Sequence, residues 1–390
     1  MVRNYLIALL LTVYLGCGQE TPLEEAPSSK PIRTGAEQLD VYLPQLEGKR
    51  VGLCVNHSAI VGEKHLLDTL LALDIHVTKV FTPEHGFTGV ADAGEKVDYE
   101  AGESAFELIS LYGTNRRPTD DQMAGLDVVV YDIQDVGARF YTYISTMTYL
   151  MEACAKNNIP FLVLDRPNPN GSYVDGPVLD TAFRSFVGLH PVPIVHGLTS
   201  GEFAKMIVGE GWVADGPGVE LDVIPCVNWD HSMPYTLPLK PSPNLPDDQS
   251  IALYPSMCLF EQTLFSVGRG TDRAFVHIGH PDYPDTSYFF TPMSREGASS
   301  PLFEGEKCFG VDYAQEPIQY VFTVQPLIDM YAAMDRKDFF KPYFYRLAGN
   351  KTLQKQIEQG LTETEIRSSW EPALTAFKNK RKKYLLYSED

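Results

Sequence analysis

The sequence predicts an α/β fold, a parallel sheet with helices on both faces, followed by a smaller α+β domain. Three observations predict it. From residue 49 onward, short apolar runs alternate with segments of helical periodicity, the pattern of successive βαβ units. The runs are almost continuously apolar, as strands buried on both faces require. Polar residues gather directly after the runs, at what becomes the carboxyl edge of the sheet, where open α/β sheets bind ligands.

A chain of 390 residues is too long for one ordinary core and sets two domains as the expectation. With 44% hydrophobic and 21% charged residues it is globular in composition. Its formal net charge of −19 argues against nucleic acid or an anionic membrane surface as the main partner.

At the N-terminus, Arg3 precedes an apolar run from Tyr5 to Leu15, too short to span a bilayer as a stable helix. Residues 1–16 therefore read as a signal peptide. Leu15-Gly16-Cys17 resembles a bacterial lipobox, which makes Cys17 a lipidated N-terminus and residues 17–33, rich in Glu, Pro and Ser, a tether. The expected location is periplasmic or at the cell surface, with membrane contact only through the lipid. The other cysteines, Cys54, Cys154, Cys226, Cys258 and Cys308, are widely spaced and read as buried free thiols, with no zinc-binding spacing among them.

The expected strands are Arg50–Val55, Ile75–Phe81, Ile109–Tyr112, Val128–Ile133, Phe161–Leu164 and Val192–Val195, with Val219–Pro225 as a further candidate. Helices are expected at Leu66–Leu73, Tyr141–Asn157 and Ser200–Glu210. No GxGxxG follows the first strand and no GxxxxGK occurs, so neither a dinucleotide nor a nucleotide-phosphate site is expected, and no cofactor is implied. The proline-rich stretch Pro234–Pro255 reads as a wrapping loop or connector. After it, Leu253–Arg273 combines an apolar helix-like segment with Arg269 between Gly268 and Gly270. From Pro326 the chain is helical, in segments Pro326–Met334, Asp338–Leu347, Lys351–Gln359, Glu363–Ile366 and Trp370–Tyr384. The expected domains are residues 34–250 and 251–390, the second completing the cleft.

The strand ends carry the functional signal. Asn56 and His57 follow the first run, Glu84 and His85 the second, and Tyr112 ends the third. Asp132 and Asp135 close the fourth, Asp165 and Arg166 follow the fifth, and His196 the sixth. Within Lys79–Gly89 (KVFTPEHGFTG), a carboxyl and an imidazole stand side by side on a glycine-flanked loop at a strand's end, a setting suited to general acid–base catalysis.

Several longer motifs carry a resemblance. PEHGF (83–87), YDIQDVGARFYTY (131–143), LDRPNPNG (164–171), VHGLTSGE (195–202), PSPNLP (241–246) and SVGRGTD (266–272) are similar to the exo-β-N-acetylmuramidase (NamZ-like) family. LAGN (347–350) and KKYLLY (382–387) extend the likeness to the tail, while Gln262 stands where a glycine is expected. The resemblance implies a Rossmann-like domain with a smaller C-terminal domain, and an exo-acting hydrolase that releases N-acetylmuramic acid from the non-reducing end of peptidoglycan fragments. It implies Glu84 as the catalytic residue.

Glycoside hydrolysis usually takes two carboxyl groups. With Glu84 as the acid and His85 beside it, the partner stays open. Asp135 lies on the glycine-bearing loop or caps the next helix; Asp132 and Glu261 are further candidates, and the substrate's own acetamide is another route. The lactyl carboxylate of muramic acid calls for an arginine. Arg139, Arg166, Arg269 and Arg273 are the candidates; Arg166, beside Asp165, is alternatively a structural ion pair, and Arg269 has the more suggestive setting. Tyr141 and Tyr143 could stack on the sugar or simply pack. His57, His85 and His196 are too scattered to predict a metal site. The competing readings are a non-catalytic peptidoglycan-binding lipoprotein and a metal-dependent hydrolase.

Overall fold

Five of the six expected runs form strands where the sequence puts them. In the computed structural model, which describes residues 30–89, 106–213, 218–314 and 317–389, they are β1 (Val51–Val55), β4 (Val77–Thr82), β5 (Glu107–Ser110), β6 (Val128–Asp132) and β7 (Phe161–Leu164). The leader, Cys17 and the tether up to residue 29 lie outside the described residues. With β8 (Leu221–Ile224) these strands form one six-stranded sheet of order β5-β4-β1-β6-β7-β8, and every neighbouring pair is parallel. Counting only these strands along the chain, the order is the doubly wound 3-2-1-4-5-6. The order reverses between β1 and β6, where Val55 lies opposite Asp132 at the carboxyl edge. A small hairpin, β2 (Ile60–Val61) with β3 (Lys64–His65), follows β1.

The expected strand at Val192–Val195 does not form. Pro191 and Pro193 remove the N–H donors that a ladder there needs. Val195 instead makes isolated bridges to Ala138 and Asp175, and the sixth place in the sheet goes to Leu221–Ile224, the further candidate. His196 consequently follows no strand.

Alternation of the pleat divides the core in two. Val51, Leu53, Val55, Val128, Val130, Leu162 and Leu164 pack beneath α1 (Leu39–Leu46) and α2 (Leu66–Ala72). On the other face, Cys54, Phe81, Val129, Tyr131, Phe161 and Val163 pack under α4 (Tyr143–Asn157) and α5 (Ser200–Gly209); the short α3 (Asp120–Met123) adds Met123. That second core continues without a break into the C-terminal part through Phe260, Phe275, Phe339, Phe344 and Trp370. Residues 32–390 accordingly form one compact unit. All five cysteines after Cys17 are buried and free.

The C-terminal part holds a three-stranded antiparallel sheet, β10-β11-β9, from β9 (His277–His280), β10 (Phe289–Phe290) and β11 (Cys308–Asp312). Its helices are α6 (Asp248–Met257), α7 (Gln325–Met334), α8 (Phe344–Ala348), α9 (Thr352–Glu358) and α10 (Glu363–Arg381). Three of them differ from expectation. The helix expected over Asp338–Leu347 is confined to α8, because Phe340 bridges to Thr263 before it. Helix α6 arises inside the proline-rich stretch because Asp247 and Ser250 form a capping box, and Pro255 falls in its last turn. Helix α10 is continuous across Pro372 because Ile366, Trp370, Leu374 and Phe377 form one buried face spanning the proline.

Candidate active site

The loop after β4 is shaped by three left-handed residues. Pro83 ends the ladder, and His85 (φ 69°), Gly86 (φ 68°) and Gly89 (φ 74°) follow. For His85 this conformation costs about 1–3 kcal/mol, which the surrounding packing offsets. A Cβ on Gly89 would stand 1.8 Å from Nδ1 of His57. His57 in turn donates from Nε2 to the Lys240 carbonyl at 2.6 Å, and burial holds its pKa below the usual histidine range. The end of β1, the Glu84 loop and the proline-rich segment are thereby clasped together.

Above this loop lies a cleft of about 400 Å³. Its N-terminal wall is Glu84, His85, Phe140, Tyr141, Thr142 and Tyr143; Ser242, Asn244 and Tyr254 form its side; Glu261, Arg269, Phe275 and residues 297–300 face it from the C-terminal part. Glu84 is half-buried and accepts a hydrogen bond from Thr142 Oγ1 at 2.7 Å. The Tyr112 hydroxyl also hydrogen-bonds Glu84; burial and the Glu84 charge raise the Tyr112 pKa, so the phenol keeps its proton and donates. The Tyr141 and Tyr143 rings meet edge-to-face at 4.7 Å, and both hydroxyls donate to the Pro241 carbonyl, at 2.9 and 3.3 Å. They are cleft-wall residues held by packing.

Across the cleft, Arg269 donates from Nε to Glu261 Oε1 at 2.6 Å. The flanking glycines have a structural cause. Both are left-handed; a Cβ on Gly268 would lie 2.3 Å from the His277 ring, and one on Gly270 2.7 Å from the Met293 carbonyl. Tight loop packing, rather than an approaching ligand, requires them, and that packing aims Arg269 at the cleft.

The remaining strand-end residues stand behind the cleft wall. Arg166 is bidentate to Asp132, at 2.5 and 2.8 Å, and both side chains are buried. Asp165 accepts from Tyr387 Oη (2.6 Å), Thr199 Oγ1 (2.7 Å) and the Gly201 amide (2.8 Å), while burial raises its pKa to about 6. Asn56 accepts from the Ser58 amide and hydroxyl. Asp135 is buried outside the cleft lining; its Oδ1 accepts from the Gly137 amide at 2.7 Å, and desolvation pushes its pKa up to about 7. Arg139 is buried and donates to the carbonyls of Pro177, Val192 and Leu347, with its pKa lowered to about 9 by burial. His196 is buried against Phe203, its pKa lowered to about 3 by burial. Arg273 pairs with Asp312 away from the cleft. Among the described residues, no three His, Cys, Asp or Glu side chains converge to hold a metal ion.

Thr142, Ser242, Asn244, Tyr254 and Phe275 line the cleft without having been singled out in the sequence. Ser242 and Asn244 had a local signal, as polar residues between prolines in PSPNLP. Thr142 and Phe275 had none, because their position depends on how α4 and the C-terminal part are packed.

Residues 51–249 match the family described as exo-β-N-acetylmuramidase NamZ, N-terminal, and residues 252–387 match its C-terminal counterpart. The chain belongs to the exo-β-N-acetylmuramidase NamZ family. It is 36% identical, over 415 aligned positions, to the peptidoglycan β-N-acetylmuramidase NamZ of Bacillus subtilis (strain 168), with 98% of this chain and 99% of that protein covered. Two solved structures of DUF1343 family proteins from Bacteroides fragilis NCTC 9343 share the fold. One has a TM-score of 0.86 at 42% identity, covering 93% of this chain and all of the other. The second has a TM-score of 0.80 at 27% identity, covering 92% and 99%. Family membership makes the protein a glycosidase. Both NamZ regions build the cleft: Glu84 and Thr142 come from the first, Glu261 and Arg269 from the second. The two regions meet at α6, which packs Ile251, Tyr254 and Met257 into the core they share.

Proposed function

We propose that this NamZ-family protein is an exo-acting hydrolase that releases N-acetylmuramic acid from the non-reducing end of peptidoglycan fragments, with Glu84 as its acid/base. One observation carries the assignment. Among the described residues two carboxyl groups line the cleft, and Glu261 is committed to Arg269, whereas the hydrogen-bond partners of Glu84 include the neutral hydroxyls of Thr142 and Tyr112. A carboxyl held by neutral donors can exchange its proton with a substrate oxygen, and Thr142 fixes its orientation.

Among the described residues the cleft therefore offers one uncommitted carboxyl, which favours the substrate-assisted route. The acetamide oxygen of the sugar attacks C1 as Glu84 donates its proton to the leaving oxygen. Glu84 then takes a proton from the water that opens the resulting oxazolinium ring. Release of nitrophenol from 4-nitrophenyl N-acetylmuramide tests the assignment. Glu84→Gln is expected to lower kcat by about 10³-fold, within the range for loss of a general acid. No release by the wild type, or unchanged release by the variant, would sink it.

The leader supports export and anchoring through a lipid on Cys17. Labelled palmitate should enter the wild-type chain in bacterial cells and not Cys17→Ala. Label retained by the variant, or absent from the wild type, contradicts the anchor.

A further inference from the structure

Four arginines answer in sequence to a substrate carboxylate, and the structure separates them. Arg139 gives both terminal nitrogens to backbone carbonyls deep in the core. Arg166 spends its fork on Asp132, and Arg273 is paired with Asp312 off the cleft. Arg269 alone among them lines the cleft, with 36% of its side chain exposed.

The way Arg269 is held matters as much as where it stands. Its Nε is bound to Glu261 at 2.6 Å, and its guanidinium carbon lies 5.1 Å from the centre of the Phe275 ring. Glu261 is itself restrained, receiving the Cys258 thiol on its other carboxyl oxygen at 3.5 Å and the Lys341 ammonium on its carbonyl at 3.2 Å. An ion pair through Nε leaves the two terminal NH₂ groups, which form the planar fork that matches a carboxylate.

We propose that Arg269 is the specificity determinant of this cleft. Its terminal nitrogens bind the lactyl carboxylate that distinguishes muramic acid from glucosamine, and Glu261 is a positioning residue that fixes the guanidinium rather than a second catalytic carboxyl. The inference rests on the muramidase reading above and adds to it the group by which the sugar is selected. No bond is made or broken in this step; it is recognition through two charge-assisted hydrogen bonds.

The test compares 4-nitrophenyl N-acetylmuramide with its lactyl methyl ester, which keeps the sugar and removes the charge. For the wild type, kcat/KM is expected to be about 100-fold lower on the ester, mostly through KM. In Arg269→Gln the acid-to-ester ratio should fall to about one. Arg269→Lys, which keeps the charge and loses the fork, should retain a ratio near ten. Equal wild-type rates on acid and ester overturn the proposal while leaving the muramidase reading intact. Wild-type hydrolysis of neither compound overturns both. A ratio near 100 that persists in a folded Arg269→Gln assigns carboxylate recognition elsewhere and also refutes it. The wild-type comparison needs no variant to fold.

Discussion

Two groups of polar residues follow strands of the same sheet, and they have opposite surroundings. Glu84, after β4, is half-buried at the cleft and held by hydroxyl groups. Asp132, Asp165 and Arg166, at the ends of β6 and β7, are sealed from solvent and fully engaged with one another or with distant parts of the chain. The difference teaches what the second group is for. Tyr387, at the far end of the chain, donates to Asp165, and Arg139 reaches the Leu347 carbonyl. Buried polar groups behind the sheet edge thus hold the C-terminal part, and with it Glu261 and Arg269, in place opposite Glu84.

Substitutions on the two sides should therefore fail in different ways. The largest effect belongs to Glu84→Gln, with turnover down by about 10³-fold and the thermal midpoint unchanged. Arg166→Ala should do the reverse. It leaves Asp132 buried and unpaired, a loss of about 3–5 kcal/mol in folding stability, with kcat of the folded protein near wild type. Denaturant titration measures the first quantity and nitrophenol release the second. An Arg166→Ala protein of undiminished stability but abolished turnover would erase the distinction between the two groups.

The same comparison marks how far the sequence could be read. The parallel sheet was legible because strands buried on both faces announce themselves as apolar runs, and five of the six were placed correctly. Val192–Val195 was misleading because apolarity outweighed two prolines, although those prolines deny the ladder its donors. At the site, the sequence identified which residues stand at the sheet edge but not which way they face. Asp135 and Glu84 are both acids on glycine-bearing loops after strands; one is buried beside the Gly137 amide and the other lines the cleft. Glu84 is held at the cleft by Thr142, at the start of α4, a contact distant in sequence, whereas Asp135 turns back to its own loop. The glycines around Arg269 drew attention to a residue that does line the cleft, although they serve packing against His277 and Met293.

The smallest expected effect probes the buried group alone. Tyr387→Phe keeps the ring against Trp229 and removes only the hydroxyl that donates to Asp165 and accepts from the Cys226 amide. Burial sets the Asp165 pKa at about 6 in the folded protein, against a model-peptide value of 3.8, so folding favours the protonated acid. Its favourable contribution is complete below about pH 4 and is lost as pH rises toward 6. Without the Tyr387 donor the ionised carboxylate is less well satisfied and the folded pKa moves higher, so the loss continues to a higher pH. The substitution should consequently cost about 1–2 kcal/mol at pH 8 and progressively less toward pH 4, where Asp165 carries its proton in both proteins. Urea midpoints measured across that range supply the check. A cost that is the same at pH 4 and pH 8 would show that the hydroxyl supports the fold through the Cys226 amide and not by stabilising the Asp165 charge.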